Sequence, residues 1–388
     1  MVPSGWKITS LGKVCSGKLQ TGPFGSQLHA HEYTDSGVPV LMPKDLIGYR
    51  ANTITAAKIP QCRADDLTKH KLKVGDILFS RRGDVARFAL IDENSKDALC
   101  GTGCLKATVN EEHSSLFLSY FLQKNAVKKW LEQNAVGQTM PNMNTAILNE
   151  LPLMVASSKK EEERIAKILS TWDKAISSTE RLINNRKQQK KALMQQLLTG
   201  KKRLLDESGK PFEGEWSMVK LGEISNITTG SSNREDSSLD SEYKFFDRSE
   251  DIRTSSRYLF DSEAVIIPGE GQDFIPKHFK GKFDLHQRTY AIMEFKHAFG
   301  KFLFYYIDYY RHYFLSQAVG STVKSLRLPM FQKMPISMPP EDEQQKIASV
   351  LTNADMGIEL LKHQLADLKQ EKKALMQQLL TGKRRVIV

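Results

Sequence analysis

One stretch of this chain occurs twice. Lys190-Lys-Ala-Leu-Met-Gln-Gln-Leu-Leu-Thr-Gly-Lys201 recurs residue for residue as Lys372–Lys383, at an offset of 182 residues. Upstream, at the same offset, Ile165, Ile168, Leu169 and Ile176 fall on Ile347, Val350, Leu351 and Ile358. An internal repeat of this kind sets the architecture before any other feature is read. Its apolar positions follow a 3.5-residue period, the pattern of a coiled-coil seam. The first copy runs Ile165, Leu169, Trp172, Ile176, Thr179, Ile183, Arg186, Lys190, Leu193, Leu197. The second runs Ile347, Leu351, Ala354, Ile358, Leu361, Leu365, Leu368, Lys372, Leu375, Leu379. Each copy predicts a helix of roughly forty residues, about 60 Å at 1.5 Å per residue. A pair of unrelated surface helices is the plainer alternative, but two seams in one phase favour helices that pack on each other as a spacer. Both open acidic (Glu161-Glu-Glu163, Glu341-Asp-Glu343) and close basic (Lys201-Lys-Arg203, Lys383-Arg-Arg385), as a helix dipole prefers. Thr199-Gly200 and Thr381-Gly382 supply the glycine stop.

The segments between the helices are also duplicated in outline. Trp6 with Leu11-Gly12 matches Trp216 with Leu221-Gly222, Val136-Gly-Gln-Thr139 matches Val319-Gly-Ser-Thr322, and Leu151-Pro152 matches Met334-Pro335. Lys301–Ile307 matches the apolar helix predicted over Leu116–Leu131. Short strands are predicted at Val38–Met42, Ile77–Phe79 and Phe88–Ile91, the second entered through the turn Lys73-Val-Gly-Asp76 and left through Ser80-Arg-Arg-Gly83. Mixed short strands and helices make each region α+β. Leu204–Glu215 reads as a polar linker. The predicted order is residues 1–157, a first globular region; 158–203, a first long helix; 204–215, a linker; 216–339, a second globular region; and 340–388, a second long helix. A shared framework with a variable interior suggests one task performed on two different targets.

With 388 residues there is room for real cores, and 56 basic against 45 acidic residues give a net charge of +11, which points toward a polyanionic partner. Four cysteines without paired spacing suggest a reducing compartment. No run approaches a membrane span, so a cytoplasmic location is expected.

The chain resembles the specificity subunits of type I restriction–modification enzymes. The resemblance rests on the Trp…Leu-Gly opening of each half, Gly22-Pro-Phe-Gly-Ser26, Gly75-Asp-Ile-Leu-Phe-Ser80, His286-Gln-Arg-Thr-Tyr290, the Gly-x-Thr loops at Gly137 and Gly320, and the Leu-Met-Gln-Gln-Leu-Leu-Thr-Gly helix ends. It implies two target-recognition domains separated by two long helices in an antiparallel coiled coil, pseudo-twofold and circular in outline. It also implies that each domain reads one half of a bipartite, asymmetric DNA site while the helices set the unread spacer. The subunit itself is expected to be non-catalytic and to bind no cofactor. S-adenosylmethionine is expected on two partner modification (methyltransferase) subunits, and ATP and Mg on partner restriction/translocase subunits.

The residues agree with a lack of chemistry. No phosphate-binding Gly-x-x-x-x-Gly-Lys-Ser/Thr loop is present, and no methyltransferase Asn/Asp-Pro-Pro-aromatic motif. His29-Ala-His31 and Cys100-Gly-Thr-Gly-Cys104 have metal-like spacing without a second pair, so no metal is expected. Asp76 and Asp84 beside basic residues could imitate a nuclease cluster, but read better as a turn and a loop aspartate. A nucleic-acid enzyme and a coiled-coil scaffold without a DNA role remain as alternatives. Base reading needs Arg or Lys for guanine, Asn or Gln for adenine, and hydroxyls on loops. Those candidates are Ser26, Gln27, Lys44, Arg81, Arg82, Gln138, Asn142 and Asn144 in the first region. In the second they are Ser231, Ser232, Asn233, Arg234, Arg248, Gln272, Lys324 and Arg327. Lys187, Lys190 and Lys191 on the first helix either face spacer phosphates or lie in solvent.

Overall fold

The computed structural model describes residues 2–23, 27–137 and 139–386. The chain forms two compact units, residues 1–178 with 365–388 and residues 179–364. The duplicated helices span Lys159–Leu197 and Glu341–Leu379, so each unit holds one end of each helix.

The first unit is built on a six-stranded sheet in the order Leu19–Thr21, Cys104–Thr108, Asp76–Ser80, Phe88–Leu90, Arg50–Ala51, Leu46–Ile47. Every residue of Asp76–Ser80 is buried, as a central strand with both faces covered requires. Asp76 closes the turn before it, accepting from the Lys73 amide at 2.8 Å and the Thr108 hydroxyl at 2.7 Å. It is thus the turn aspartate of the sequence reading, and Asp84 pairs with Arg87 at 3.3 Å. The strands anticipated at Val38, Ile77 and Phe88 are observed at Val38–Leu41, Asp76–Ser80 and Phe88–Leu90. A three-stranded sheet of Ala57–Ile59, Val38–Leu41 and Leu99–Cys100 is added. The helix anticipated over Leu116–Leu131 is two, Ser115–Leu122 and Asn125–Asn134. Lys124 takes extended backbone angles, and the break turns Val127 and Leu131 into the core.

The second unit repeats this sheet strand for strand: Asn226–Thr229, Thr289–Met293, Phe260–Pro268, Lys277–Leu285, Tyr243–Phe246, Arg253–Ser255. In both sheets only the fourth and fifth strands run parallel. The opening and closing segments pair in each unit, Lys7–Ser10 with Pro152–Val155 and Ser217–Lys220 with Pro335–Met338. The anticipated linker is an ordered hairpin: Leu205 pairs with Pro211, and the Lys346 ammonium donates to the Leu205 carbonyl at 2.8 Å.

Within each unit the helix ends run antiparallel and their apolar seams enter the core. Ile165, Leu169, Leu379 and Leu380 join the first core, and Leu197, Leu198, Ile347 and Leu351 the second. Arg186 departs from the seam and is exposed. The two lysines in the seam are explained by partners. Lys372 binds Asp173 at 2.6 Å and lies over the Tyr120 ring, whose hydroxyl donates to Asp173 at 2.6 Å. Lys190, Asp355 and Tyr305 form the equivalent triplet in the second unit, with Lys190 2.6 Å from Asp355. Lys190 therefore faces a carboxylate, and is not available to a spacer phosphate.

The acidic starts and basic ends also serve more than the helix dipole. Glu161 receives Arg385 at 2.7 Å, and Glu343 receives Arg203 at 2.7 Å, both carboxylates being buried. Burial opposes the charge on Glu161, but hydrogen bonds from Arg385 and Ser157 outweigh it and hold its pKa below the usual range. The stop glycines Gly200 and Gly382 have φ of 68° and 65° and pack against Trp216 and Trp6.

Candidate nucleic-acid interface

In the first unit the arginine loop grows directly out of the central strand. The Arg81 amide donates to the Gly103 carbonyl at 2.8 Å, and the Arg81 carbonyl accepts from the Met143 amide at 2.8 Å. The Gly83 amide donates to the Pro141 carbonyl, and Arg82 lies opposite Asn142. Three loops are thereby tied into one frame, with Arg82 exposed. Arg81 Nε and Asn142 Oδ1 are buried and have no hydrogen-bond partner among the described residues. Lys44 is exposed on the turn Pro43–Asp45, and the Arg87 guanidinium joins that turn to the frame through the Pro43 carbonyl at 3.1 Å. Lys44, Arg81, Arg82 and Asn142 are therefore brought together.

The other first-region candidates differ. Asn144 caps the helix Thr145–Asn149, its side-chain oxygen accepting from the Ile147 amide at 2.8 Å. The Gln27 carbonyl accepts from Arg63. Ser26 and Gln138 lie outside the described residues.

The second unit rebuilds the same frame with other side chains. The Gly269 amide donates to the Arg288 carbonyl at 2.8 Å, and the Gly269 carbonyl accepts from the Leu326 amide at 2.8 Å. Glu270 lies opposite Ser325, and Gly271 opposite Lys324. Gly269 and Glu270 thus stand where Arg81 and Arg82 stand in the first unit. Arg327 starts the helix Leu328–Gln332 and is exposed, as Asn144 is at the matching cap. Gln272 is exposed just beyond the Gly271–Lys324 pair.

Beside this frame an open cleft of about 280 Å3 contains Arg234, Arg248, His286, Gln287 and Arg288 together with Asp247 and Glu270. Arg288 pairs with Glu270 at 2.6 Å and Arg234 with Asp247 at 3.7 Å. Burial holds the His286 pKa below its ordinary value. Gln287 donates to the Asn233 side chain, and Ser231 is exposed.

Ser232 is a correction to the sequence reading. Its hydroxyl is fully buried, donates to Asp284 at 2.6 Å and accepts from Arg257 at 2.8 Å. Asp284 also accepts from Ser255 at 2.8 Å and from its own neighbour's amide at Leu285. Ser232 serves this buried network, because an aspartate without such donors could not remain inside the sheet. Gln287 and Arg288 were missed as candidates. Their signal was the motif His286-Gln-Arg-Thr-Tyr290, read as a framework mark rather than as a reading loop.

The metal-like spacings hold other structure. The His29 and His31 rings stack at 5.5 Å, and Cys100 and Cys104 are buried in the three-stranded and the six-stranded sheet respectively, burial pushing the Cys100 thiol up to about 12. Among the described residues, no helix is long and apolar enough to cross a membrane.

Comparison with known proteins accords with this arrangement. The profile of the type I restriction modification DNA specificity domain matches residues 3–187 and 213–370. The chain belongs to this family of DNA-recognition subunits. It is 21% identical over 432 residues to the type I restriction enzyme MjaIX specificity subunit of Methanocaldococcus jannaschii, covering 99% of this chain and 95% of the relative. It is 29% identical over 167 residues to the EcoDI specificity subunit of Escherichia coli, across 43% of this chain and 37% of the relative. Its fold is that of the S subunit of a type I system from M. genitalium, with a TM-score of 0.66 and 16% identity over 96% of each chain.

Proposed function

We propose that this chain reads a bipartite, asymmetric DNA sequence for a type I restriction–modification complex, one half-site with each unit. The observation that carries the reading is the duplicated backbone frame with different side chains. Arg81, Arg82 and Asn142 fill one copy; Gly269, Glu270 and Ser325, flanked by Arg288, fill the other. Identical frames present their side chains to a groove in the same way, and different side chains then select different bases. The long helices set the length of the unread spacer.

In this reading the chain performs no reaction and binds no cofactor of its own, and it works in the cytoplasm. It recruits two modification subunits carrying S-adenosylmethionine, and restriction/translocase subunits using ATP and Mg. The duplicated helix ends supply the same surface twice, which suits two copies of one partner. The test is to map methylated adenines in a host expressing the complete complex. A two-part asymmetric motif with a fixed gap is the expected result. An undivided motif, or methylation by this chain alone with S-adenosylmethionine, would overturn the reading.

A further inference from the structure

One concentration of charge in the first unit is not accounted for by the reading loops. Where Ser115–Leu122 gives way to Asn125–Asn134, an open cleft of about 580 Å3 separates the break from the last turns of the second long helix. Six of its lining residues are lysines and none is a carboxylate. Lys372 is already matched by Asp173. The Lys124 ammonium rests 4.4 Å over the Phe121 ring and that of Lys128 rests 5.5 Å over Tyr49, contacts that hold an amine in place without neutralising it. Burial keeps the Lys124 pKa below its ordinary value, and a nearby anion would raise it again. Lys373 and Lys383 project from the exposed side of the helix end.

The cleft is continuous with the arginine frame. Tyr49 and Lys128 also line the neighbouring depression that contains Asp84 and Arg87. Arg87 in turn holds the turn carrying Lys44. The second unit lacks this pattern. Gln123 and Lys124 follow Tyr120 by three and four residues, and Asp308 and Tyr309 follow Tyr305 likewise. Asp308 is half-buried, pairs with Arg311 at 3.1 Å and lies in the field of Lys190. The second unit thus carries its own counter-charge where the first has an amide and an amine.

We propose that the lysine cleft of the first unit is a phosphate-contact site for duplex DNA, a grip that the second unit does not share. The inference rests on the reading that the chain binds DNA. The carboxylate-free lysine cleft meets, through Tyr49 and Lys128, the depression that carries Arg87 with Asp84 and Glu132, and this nearness to the arginine frame favours a duplex backbone over an acidic protein segment. The experiment is a salt titration of the full chain with a random-sequence duplex. Each lost phosphate contact lowers the slope of log affinity against log salt by about 0.9. K124Q/K373Q should flatten the slope by about two, and K124R/K373R should keep it. K191Q, which alters the counterpart of Lys373 in the other copy, should leave the slope at the wild-type value. An unchanged slope in K124Q/K373Q overturns the proposal, and does so equally if that variant instead loses a protein partner. An equal loss in K191Q overturns the asymmetry. A wild-type chain whose binding ignores salt would sink the DNA-binding reading as well.

Discussion

Arg81 and Gly269 hold the same place in two copies of one frame, each with its amide and its carbonyl bonded to flanking loops at 2.8 Å. The backbone bonds are the same, and the side chains could hardly differ more. Elsewhere the pattern is reversed. The ion pairs Glu161–Arg385 and Glu343–Arg203, and the triplets Tyr120–Asp173–Lys372 and Tyr305–Asp355–Lys190, keep the same chemistry in both units. Sameness therefore lies where the helices are held, and difference where a groove would be read. One helix contact departs from this rule. Glu162 accepts from the Ser114 amide at 2.7 Å and meets His113 at 2.9 Å. Its counterpart Gln344 accepts from the Phe299 amide at 2.8 Å but donates to the carbonyls of Pro339 and His297.

Exchanging that pair breaks the comparison most severely. Gln344→Glu would bury a carboxylate against two carbonyls and should destabilise the second unit by about 3–5 kcal/mol, as an uncompensated buried charge does. Glu162→Gln leaves an acceptor for the Ser114 amide and should cost about 1–2 kcal/mol. Chemical denaturation of the two variants measures both, and equal losses would mean that the two sites are not distinct.

Reading variants come next. Arg82→Ala should weaken recognition of one half-site only, by about 1–3 kcal/mol for a lost base contact. Arg288→Ala should act on the other half-site alone. Methylation mapping with each variant complex decides between base and backbone contact, since a phosphate ligand would weaken every sequence alike.

The stop glycines give a smaller, graded pair. Alanine at either site must adopt a left-handed φ, at about 1–2 kcal/mol. At Gly382 the added carbon would also meet Pro3 at 2.8 Å and Trp6 at 3.0 Å, whereas at Gly200 its nearest neighbour is Trp216 at 3.6 Å. Gly382→Ala should therefore lower the melting temperature more than Gly200→Ala.

The smallest effect expected is one of pH. Burial depresses the pKa of His278 and His286 in the second unit and of His70 in the first. A depressed imidazole binds fewer protons in the folded state than in the unfolded one. Its contribution is present above the unfolded pKa near 6.5 and is lost as pH falls through the folded value. Melting temperatures should decline from pH 7.5 to 5.5, and His278→Asn should reduce the slope of that decline.

The sequence made the helices and their pairing plain, because a 3.5-residue period repeated at one offset leaves few other packings. Even the seam lysines were visible as interruptions. What they do was not, since Asp173 and Tyr120 reach Lys372 only through the fold. The arginine loop was legible from Ser80-Arg-Arg-Gly83 following a buried strand. Ser232 was misjudged because a serine beside Asn233 and Arg234 has the composition of an exposed loop. Its burial depends on Asp284, 52 residues away. The break at Lys124 carries neither proline nor glycine, so local propensity gave no warning. Arg288 was overlooked because His286-Gln-Arg-Thr-Tyr290 reads as a framework motif, while its place beside the Gly269 frame comes only from the fold.

The division of the units has a consequence for synthesis. Residues 179–364 are one uninterrupted stretch, so the second unit has all its parts once they have left the ribosome. The first unit has most of its residues far earlier, yet its core includes Leu379 and Leu380, and its buried Glu161 waits for Arg385. Loop closure over 224 residues must precede those contacts, and such closure is slow. The half of the chain made first is thus the half completed last. Until then Ile165 and Leu169 lack the part of their core that Leu379 and Leu380 supply, and apolar surface left open in this way is prone to misassembly.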